Sequence, residues 1–506
     1  MRNKGWKMRR MFINLATFAV LSLNIAFAQA HQPVTLKASD GMTLDQFATA
    51  AAVDGNFAII GAPRPANNGV ESGTAYIFRN DVTTWTEVAK LTASDAAAGD
   101  QFGFSVAIQG NYVVVGAPEK DDVGSHSGAV YVFQQTGNTW VETAKLSSTN
   151  IAQDSHFGWS VSIDGDYVAA GATGTDKQHP GLVHIFQRDG NTWPEVTNFF
   201  TPDIGEGDNF GSSLSLSGDY VIVGDENYPA GEASGAAYIF KRNGTSWTNV
   251  AKIIASDGSP GDQFGWSVSI DRDFAIVSAV GDDDAGDSSG SAYVFQRIDS
   301  TWMEIAKLTA SDGVIGGRFG WSASLHGNFV VVGAIGPDSV TPGAAYVFQR
   351  SNANWLEIAK LTSPDIGEGD LFGGSVSITD EHIVVGDKNF PAGAATGAAY
   401  VFIVSLLPLG IDVGASEIPT GFFLDQNYPN PFNPGTTIKF SLPHTSFVTL
   451  KIYSLLGEEV ATLVAENLLA GKYQIEWDAS GFSSGVYYYR MQSDKFVEAK
   501  KFTLLK

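Results

Sequence analysis

A phenylalanine recurs every 53 to 55 residues through most of this 506-residue chain. In most copies a glycine follows it, and a short run that mixes serine with apolar residues comes next. The recurring residues are Phe47, Phe102, Phe157, Phe210, Phe264, Phe319 and Phe372. Seven copies of one unit at a nearly fixed period are typical of a repeat architecture, in which each unit buries its apolar surface against its neighbours.

Each copy except the seventh contains four short runs of strand-forming residues. In the second copy they span 105–108, 112–117, 129–133 and 140–146, and Gly, Asn and other polar residues separate them. The second run is apolar at consecutive positions, as in Val113-Val114-Val115, so both of its faces should be buried. Four antiparallel strands per unit predict the blades of a seven-bladed β-propeller, an all-β fold.

The fourth run carries a tryptophan in six copies. These residues are Trp85, Trp140, Trp193, Trp247, Trp302 and Trp355. An aromatic residue at one place in successive blades indicates packing between blades, because a ligand rarely needs the same anchor all round a ring.

The two ends of the repeat region complement each other. The seventh copy has no fourth run after Phe402, whereas segment 34–40, before the first copy, resembles the end of a fourth run such as 88–95. We therefore expect the N-terminal strand to complete the last blade, which leaves no open sheet edge. The propeller is predicted to span residues 31–402.

Three further segments flank the repeats. Residues 1–30 have a basic start, a mostly apolar stretch and small residues near 26–30, the pattern of a secretory signal peptide. Residues 403–420 lose the repeat pattern and are predicted to be a linker. Residues 421–506 contain alternating strand runs separated by glycines, which predict a small immunoglobulin-like β-sandwich. No stretch after the signal peptide is apolar for long enough to predict a membrane-spanning helix.

The chain is acidic, with 54 Asp and Glu residues, 31 Lys and Arg residues and a formal net charge of −23. Residues 421–506 contain eight acidic and eight basic residues, so the excess of acid lies on the propeller. Nucleic acid and anionic membranes are therefore poor partners. The chain has no cysteine, so the blades must be stabilised by burial and hydrogen bonding without disulfides.

One loop, residues 281–287, gathers enough carboxylates for a hard cation such as calcium. Its candidate metal ligands are Asp282, Asp283, Asp284 and Asp287. A solvated acidic loop explains the same residues. A second acidic feature, the pair that precedes the phenylalanine, such as Asp95 and Asp100, is interpreted as turn capping through Asx hydrogen bonds.

No catalytic constellation is visible in the sequence. The eight histidines lie at unrelated repeat positions and form no metal-binding His-x-x-x-His pair. The chain has no Cys nucleophile and no phosphate loop, and we identify no nucleophile elbow in it. Two of its many carboxylates would have to meet across one propeller face to form a glycosidase site, and a sequence does not show that pairing.

The repeats resemble FG-GAP repeats, the units of the integrin α-subunit propeller and of many bacterial surface proteins. Phe-Gly pairs such as Phe264-Gly265 and the Gly-Ala-Pro segments 61–63 and 116–118 carry the resemblance, from which the first copy departs with Phe47-Ala48. The resemblance spans residues 34–402 and implies a propeller, a fold that hosts adhesion, ligand binding and some catalysis. The calcium loop of integrin-type blades has no matching positions here, because the turn between the first two strands is too short.

Residues 421–506 resemble the type A sorting domain of the type IX secretion system of Bacteroidetes and related phyla. The motif residues are Asn427, Tyr428, Pro429, Asn430, Pro431, Phe432, Gly457 and Gly485. The resemblance implies export to the periplasm by the Sec pathway, passage across the outer membrane by the type IX secretion machinery, and removal of the domain with release or surface attachment of the propeller. Without this resemblance, the domain would be interpreted as a carbohydrate-binding or adhesion sandwich.

We therefore expect a secreted or cell-surface propeller that binds polysaccharide or protein through its blade-connecting loops. A carbohydrate-active enzyme, either a polysaccharide lyase or a hydrolase, is one alternative, and carboxylates or basic residues converging at one mouth would favour it. A structural surface protein without a small ligand is another. The near-uniform repeats argue against an enzyme, since an active site usually makes one or two blades distinctive. Calcium at the 281–287 loop is the one cofactor considered.

Overall fold

The computed structural model describes most of the chain from residue 33 to residue 505. The predicted signal peptide, residues 1–30, and most of the predicted linker lie outside the described residues. The described ranges are 33–42, 44–64, 72–81, 84–173, 181–200, 203, 208–229, 232–337, 341–351, 354–365, 370–388, 396–407, 421–442, 446–455, 457–468, 471–479, 481–493 and 496–505.

Seven four-stranded antiparallel sheets form the repeat region, and each corresponds to one copy of the repeat. The first strand of every sheet contacts the first strands of both neighbouring sheets, whereas the fourth strands hardly meet. First strands therefore surround a central axis and fourth strands lie at the outside. This arrangement is the predicted seven-bladed propeller.

The strands are consecutive in the chain. Blade 1 comprises β2 (Ala50–Asp54), β3 (Phe57–Ala62), β4 (Thr74–Asn80) and β5 (Trp85–Leu91). Blade 2 comprises β6 (Ser105–Gln109), β7 (Tyr112–Ala117), β8 (Ala129–Thr136) and β9 (Thr139–Leu146). Blade 3 comprises β10 (Ser160–Asp164), β11 (Tyr167–Ala172), β12 (Leu182–Gln187) and β13 (Glu195–Phe199). Blade 4 comprises β14 (Leu214–Ser217), β15 (Tyr220–Asp225), β16 (Ala236–Asn243) and β17 (Ser246–Ile253).

The remaining blades follow the same order. Blade 5 comprises β18 (Phe264–Asp271), β19 (Phe274–Ala279), β20 (Ser291–Ile298) and β21 (Thr301–Leu308). Blade 6 comprises β22 (Phe319–His326), β23 (Phe329–Ala334), β24 (Ala344–Ser351) and β25 (Asn354–Leu361). Blade 7 takes β26 (Phe372–Ile378), β27 (His382–Asp387) and β28 (Ala398–Ile403) from the end of the repeats and β1 (Val34–Leu36) from their start.

The seventh blade closes the ring. β1 pairs antiparallel with β28, and Val34 lies opposite Val401 while Leu36 lies opposite Ala399. Leu36 is buried in the cluster that also contains the core residues of blade 1. The short 3-10 helix η1 (Val404–Leu406) follows β28, and Val404 is buried in the core of blade 7.

The recurring phenylalanine fills the centre of each blade. Phe102, for example, is fully buried, and its ring lies 5.5 Å from the ring of Tyr131 and 5.9 Å from that of Phe133. The glycine after it has a φ of +93°, and a Cβ there would lie 2.3 Å from the carbonyl oxygen of Thr74 in the preceding blade. Only glycine fits this contact without displacing backbone.

The recurring tryptophans pack between blades, as predicted. Trp247 of blade 4 is 9% exposed, and its ring lies 6.3 Å from that of Tyr167 in blade 3. The same contact recurs as Trp140 on Phe57, Trp193 on Tyr112, Trp302 on Tyr220 and Trp355 on Phe274. Four of these pairs join the fourth strand of one blade to the second strand of the blade before it, and Trp193 makes the same contact from just before the fourth strand of blade 3.

Each connector between blades is also bound to the outer strands of the blade that follows it. In blade 2, Asp95 accepts hydrogen bonds from the Tyr131 hydroxyl (2.7 Å) and the Lys145 ammonium (2.8 Å), and the Ser94 hydroxyl donates to Glu142 (2.7 Å). We call this set the connector clasp. It recurs with Asp40, Tyr76 and Lys90, with Asp257, Tyr293 and Lys307, and with Asp312, Tyr346 and Lys360.

The hydrogen bonds of the clasp show that only one member of the acidic pair, Asp95 and Asp100, caps a turn as predicted. Asp100, the second member, does cap its turn, because its carboxylate accepts the backbone N–H of Ala97 at 2.7 Å. Asp95, the first member, was predicted to cap a turn as well, but its side-chain hydrogen bonds come from the tyrosine and lysine of the clasp. That prediction was wrong because the partners of Asp95 lie 36 and 50 residues away in the chain.

Residues 421–505 form the predicted β-sandwich. One sheet contains β29 (Phe423–Leu424), β30 (Gly435–Leu442) and β33 (Gly471–Asp478), and the other contains β32 (Glu459–Leu468), β31 (Ser446–Ser454), β34 (Gly485–Ser493) and β35 (Phe496–Leu504). Phe440 and Trp477 from the first sheet share one core with Leu450, Tyr489 and Phe502 from the second.

We predict that Trp247→Ala lowers the free energy of unfolding by about 3 to 5 kcal/mol, because it empties the contact between blades 3 and 4. Chemical denaturation measures this loss. Val250→Ala, in the same strand but 40% exposed, is the control and should change stability by about 0.5 kcal/mol or less. A Trp247 variant as stable as its parent would refute packing between blades as the role of this residue.

Candidate functional site

The two faces of the propeller carry different loops. The connectors between blades and the loops that join second to third strands lie on one face, and the hairpin turns lie on the other. We call the first the connector face. The predicted metal-binding loop and most of the departures from the repeat lie here, so the search for a site begins on this face.

The predicted calcium loop, between β19 and β20, surrounds a lysine. Asp282 is 3% exposed and accepts hydrogen bonds from Lys307 (2.9 Å), Tyr293 (2.8 Å) and Ser291 (2.9 Å). The Lys307 ammonium also lies 2.8 Å from Asp257 and 2.5 Å from Asp284. Oxygens of these three carboxylates lie within 4.8 Å of one another, close enough to share one cation.

The four predicted ligands therefore have two different kinds of partner. Asp282 and Asp284 contact Lys307, whereas Asp283 accepts the backbone N–H of Ser288 (2.7 Å) and Asp287 accepts its hydroxyl (3.1 Å). Burial opposes the charge on Lys307, but hydrogen bonds to the three carboxylates raise the pKa of Lys307. The ammonium supplies a positive charge at the place where a calcium ion would gain its ligands, and calcium binding stays a prediction. Asp257, from the preceding connector, was not among the predicted ligands.

A second group of side chains surrounds the axis on the same face. The second residue after each recurring phenylalanine stands at or just before the start of a first strand and therefore next to the axis. We call these seven positions the rim. They are Thr49, Phe104, Trp159, Ser212, Trp266, Trp321 and Gly374.

The rim aromatics form two pairs that are partly exposed. The rings of Phe104 and Trp159 lie 4.7 Å apart, and those of Trp266 and Trp321 lie 4.8 Å apart. The Trp266 indole N–H also donates to the backbone carbonyl of Trp321 at 3.1 Å, which fixes its orientation. Each pair joins two adjacent blades, and the two pairs stand on opposite sides of the axis.

Small residues separate the two pairs. Ser212 occupies the rim position of blade 4, while Gly374 and Thr49 occupy those of blades 7 and 1. We call these places the blade 4 gap and the blade 7 gap. A linear molecule that crosses the rim from one gap to the other would pass between two aromatic walls.

The blade 4 gap is lined by a carboxylate. The Ser212 hydroxyl donates to Glu226, and the side-chain amide of Asn209 donates to the same carboxylate at 3.0 Å. Glu226 is 9% exposed, and its burial raises the pKa of Glu226 although both hydrogen bonds oppose the rise. This gap therefore presents hydroxyl, amide and carboxyl groups within a short distance.

A buried carboxyl group lies beside this gap. Asp225 occupies the place of Ala62, Ala117 and Ala172 in the first three blades, and it is fully buried. One of its oxygens accepts the backbone N–H of Asn209 at 2.9 Å, and the other has no hydrogen-bond partner among the described residues. Burial, and the nearby charge of Asp208, raise the pKa of Asp225 to about 8. Asp225 is therefore mainly protonated at neutral pH.

Two histidines that sequence spacing does not associate lie together on the connector face. His126 and His156 come from different loops, and their rings are parallel with centroids 5.9 Å apart. Glu119 lies 3.7 Å from one ring and 3.4 Å from the other, and Asp154 lies 3.2 Å from His126. Lone pairs of parallel imidazoles do not converge on one point, as zinc would require. His156 instead packs against the rim through an edge-to-face contact with Trp159.

A small pocket of about 150 Å³ lies between blades 5 and 6, away from the rim. Asp312, Tyr346 and Lys360 of a connector clasp line it together with apolar residues. Sites for drug-sized molecules usually enclose about 300 to 1,000 Å³. This pocket is therefore smaller than a typical ligand site.

The motif residues of the C-terminal domain fix its first loop to the last strand. Asn427 is buried, and its backbone N–H donates to the Tyr489 hydroxyl at 2.8 Å. Asn430 accepts the backbone N–H of Thr503 at 3.0 Å, and the N–H of Phe432 donates to the carbonyl of the same residue at 3.1 Å. The motif therefore ties the loop to β35.

The other motif residues are more peripheral. Tyr428 is 81% exposed. Gly457 adopts a φ of +82° in the turn between β31 and β32, and Gly485 opens β34. Pro429 accepts hydrogen bonds through its carbonyl from Asn427 and Thr436. Pro431 lies in the same loop. Across the described ranges, no helix is both long and apolar enough to span a bilayer.

Comparison with known proteins gives two family matches. The FG-GAP repeat profile matches residues 31–78, 85–133, 140–186, 193–240, 247–295, 302–348 and 355–402. The profile of the secretion system C-terminal sorting domain matches residues 426–504. No curated protein sequence matches the chain.

The chain is also similar, at low identity, to several solved structures. PorZ, an essential surface component of the type IX secretion system of Porphyromonas gingivalis, is 15% identical with a TM-score of 0.45; the match covers 93% of this chain and 61% of PorZ. A europium-containing methanol dehydrogenase is 10% identical with a TM-score of 0.40, covering 74% of this chain and 94% of the enzyme. A hypothetical selenium-binding protein from Sulfolobus tokodaii is 8% identical with a TM-score of 0.39, and the match covers 90% of this chain and 96% of that protein.

We predict that Asp225→Asn flattens the pH dependence of stability. The folded protein holds a proton on Asp225 up to about pH 8, whereas the unfolded chain releases it near pH 4, so ionisation favours unfolding across this interval. Between pH 5 and pH 8 the free energy of unfolding of the parent should therefore fall by up to about 4 kcal/mol, and the variant should not show this fall. Urea denaturation at each pH measures the slope. The exposed Asp189→Asn is the control, and equal slopes for parent and Asp225 variant would contradict the protonated state.

We predict that Lys307→Gln makes stability depend on calcium. Without the ammonium, Asp257, Asp282 and Asp284 repel one another, and unfolding should become easier by about 2 kcal/mol or more. Calcium would then restore stability by neutralising the three carboxylates. Melting curves with calcium and with chelator measure this for the variant, the parent and Lys360→Gln, whose lysine bonds Asp312. A parent stabilised by calcium as strongly as the variant would show that Lys307 does not take the place of a cation.

Proposed function

Because this chain belongs to the FG-GAP repeat family and carries a type IX secretion sorting domain, we propose that it is an exported binding protein whose propeller holds a polysaccharide across the rim. The sorting domain implies export by the type IX machinery to the cell surface or the medium. Entry into the periplasm through the Sec pathway, with residues 1–30 as signal peptide, is part of the proposal, and so is later removal of the domain.

The observation that carries the proposal is the pair of aromatic walls. A pyranose ring has apolar C–H faces and a hydroxyl edge, so it gains most from a flat aromatic surface beside polar groups. Phe104 with Trp159 provides one such surface and Trp266 with Trp321 the other. The hydroxyl, amide and carboxyl groups of the blade 4 gap provide polar partners at one end.

The shape of the rim favours a polymer over a small ligand. Its aromatic pairs belong to blades 2 and 3 on one side and to blades 5 and 6 on the other, with a gap at each end. A chain of sugars can cross such a surface without being enclosed. The acidic propeller also disfavours nucleic acid, whose phosphates would be repelled.

One observation favours catalysis as a second candidate. Blades 4 and 7 differ from the others, because each places an aspartate, Asp225 or Asp387, where the first three blades have alanine. Beside the blade 4 gap, burial raises the pKa of Asp225 and of Glu226, and a carboxyl group with a raised pKa is what a glycosidase uses as its general acid. A carbohydrate-active enzyme is therefore the alternative, and the blade 4 gap is where it would act.

We predict that Trp159→Ala and Trp266→Ala each weaken retention on the polysaccharide that the parent binds by about tenfold or more, because each removes one wall. Affinity electrophoresis of the full-length protein in gels containing a panel of polysaccharides measures retention. Met303→Ala, an exposed apolar residue on the outer strand of blade 5, controls for nonspecific apolar contact. Melting temperatures establish that each variant is folded.

The same panel separates the candidates. Retention that both tryptophan variants lose supports binding at the rim. Release of shortened chains, abolished by Glu226→Gln, would favour the enzyme. Retention that neither tryptophan affects would overturn the rim as the binding site.

A further inference from the structure

The small pocket between blades 5 and 6 lies against the tyrosine and lysine of a connector clasp, and we call it the blade 6 pocket. Tyr346 and Lys360, which lie opposite each other on β24 and β25, line it together with apolar residues. Blades 2, 4 and 5 have the same pair, as Tyr131 with Lys145, Tyr238 with Lys252 and Tyr293 with Lys307. The four blades therefore present the same two side chains at this place, and they differ in what covers them.

In three of the four blades, one residue of the loop between the second and third strands covers the pair. The covering residues are Lys120 in blade 2, Tyr228 in blade 4 and Asp282 in blade 5. They are equivalent, because the backbone N–H of each donates to the last residue of the second strand and its carbonyl accepts from the glycine before the third strand. Asp282, for example, accepts hydrogen bonds from both Tyr293 and Lys307.

Blade 6 has no covering residue in the part of its loop that the structure describes. The loop, 335–343, is shorter than the corresponding loops 118–128 and 280–290. Its glycine, Gly343, donates to the carbonyl of Asp370 rather than closing the turn. A cavity of about 150 Å³ lies beside Tyr346 and Lys360. The blade 6 pocket is therefore the place that other blades fill with a side chain of their own.

The walls of the pocket determine which kind of side chain it can receive. In blade 2 the covering lysine donates to Asp100 at 3.0 Å, but Gly317 stands at that place in blade 6. In blade 5 the covering aspartate accepts a hydrogen bond from Ser291 at 2.9 Å, but Ala344 stands there in blade 6. A cation or an anion in this pocket would therefore lack a partner that it has in the other blades.

Blade 4 shows that an aromatic ring fits beside the same pair. Its third strand also begins with an alanine, Ala236. The ring of Tyr228 lies 3.5 Å from the Lys252 ammonium and 6.4 Å from the ring of Tyr238, which it meets edge to face. An ammonium over an aromatic face is favourable, and more so where water is excluded. An apolar cavity of about 150 Å³ also has room for one benzene ring.

The pocket opens at an exposed apolar surface. Val314, on its wall, is 46% exposed, and the next residue, Ile315, is 67% exposed. A ring can therefore enter from outside while the rest of its molecule lies on this surface. Aromatic side chains that fill a pocket in this way are typical anchors of protein interfaces.

We propose that the blade 6 pocket binds one aromatic side chain, a tyrosine or a phenylalanine, of a partner protein. The ring takes the place that Tyr228 takes in blade 4, with its face towards Lys360 and Tyr346 beside it. The pocket shares no residue with the rim. This inference therefore does not depend on the proposed binding of polysaccharide.

The test presents the side chain first alone and then in a peptide. Full-length protein is titrated with p-cresol, which is the side chain of tyrosine, and binding is followed by ligand-observed NMR. We expect a dissociation constant on the order of 1 mM, as for a ligand of this size. The peptide Gly-Tyr-Gly with blocked ends should bind at least as tightly, and Gly-Leu-Gly about tenfold more weakly, because leucine has no ring face for the lysine.

Two variants assign the binding to the pocket. Val314→Asp places a charge on the wall, at a position exposed enough for the variant to fold, and should weaken binding of p-cresol about tenfold. Ile315→Asp makes the same change one residue further along, outside the lining, and should change binding by about twofold or less. Melting temperatures establish that both variants are folded.

A second pair of variants tests the lysine. Lys360→Gln removes the ammonium from the pocket and should weaken binding of the tyrosine peptide about fivefold. Lys145→Gln makes the same change in blade 2, where Lys120 already covers the pair, and should leave binding unchanged.

Each result decides one part of the proposal. Binding of p-cresol that neither Val314→Asp nor Lys360→Gln weakens, or no binding at all, overturns the pocket as a site. Equal binding of the leucine peptide overturns its preference for an aromatic ring. Binding of p-cresol without the tyrosine peptide overturns a partner's side chain as the occupant and indicates a free small aromatic molecule instead.

Discussion

The propeller depends on a close backbone contact between neighbouring blades. The Phe-Gly segment of one blade lies against the second strand of the blade before it, and a Cβ on Gly61 would stand 1.9 Å from the carbonyl oxygen of Gly103. The contact recurs between Gly116 and Gly158 and between Gly333 and Gly373. It sets the distance between blades, and it also explains why the repeat keeps glycine where a strand alone would not need it.

Because this contact fixes the backbone, side chains beside it can vary with little loss of stability. The residue after Phe-Gly is aromatic in four blades and small in three, yet it stands at the same place next to the axis in each. The outer contacts, by contrast, are kept: the tryptophan packs between blades, and the connector clasp binds Ser and Asp to the blade that follows. The repeat is therefore uniform where it stabilises the ring and variable where a ligand would meet it.

The charges of the connector face show the same contrast: they are compensated where the repeat is uniform and not where it varies. Clasp aspartates such as Asp95 are matched by lysine and tyrosine, so their charge is compensated within the fold. In blades 4 and 7, the two distinctive blades, charged groups are not compensated in this way. Blade 4 buries Asp225 with one oxygen that has no partner in the described residues, and in blade 7 burial and the charge of Arg64 lower the pKa of Lys388. These are the places where the protein retains free energy that a ligand or a proton can release.

Much of the fold was predictable from sequence because the period was strong. The four runs per copy, the burial of the phenylalanines and the tryptophan contacts all follow from repetition, and family profiles match both domains. The site was less predictable, since contacts between blades join residues far apart in the chain. Lys307 among the predicted calcium ligands, and His126 beside His156, are of this kind. The rim residues were visible after each Phe-Gly, and their variation from blade to blade was the signal that could have identified them.

The most direct test is a crystal structure of the full chain with an oligosaccharide of the polymer that it retains. The account predicts sugar rings against Trp159 and Trp266, with the chain running from Ser212 towards Gly374. Sugar bound on the hairpin face, on the outer strands or on the C-terminal domain, with the rim empty, would contradict it.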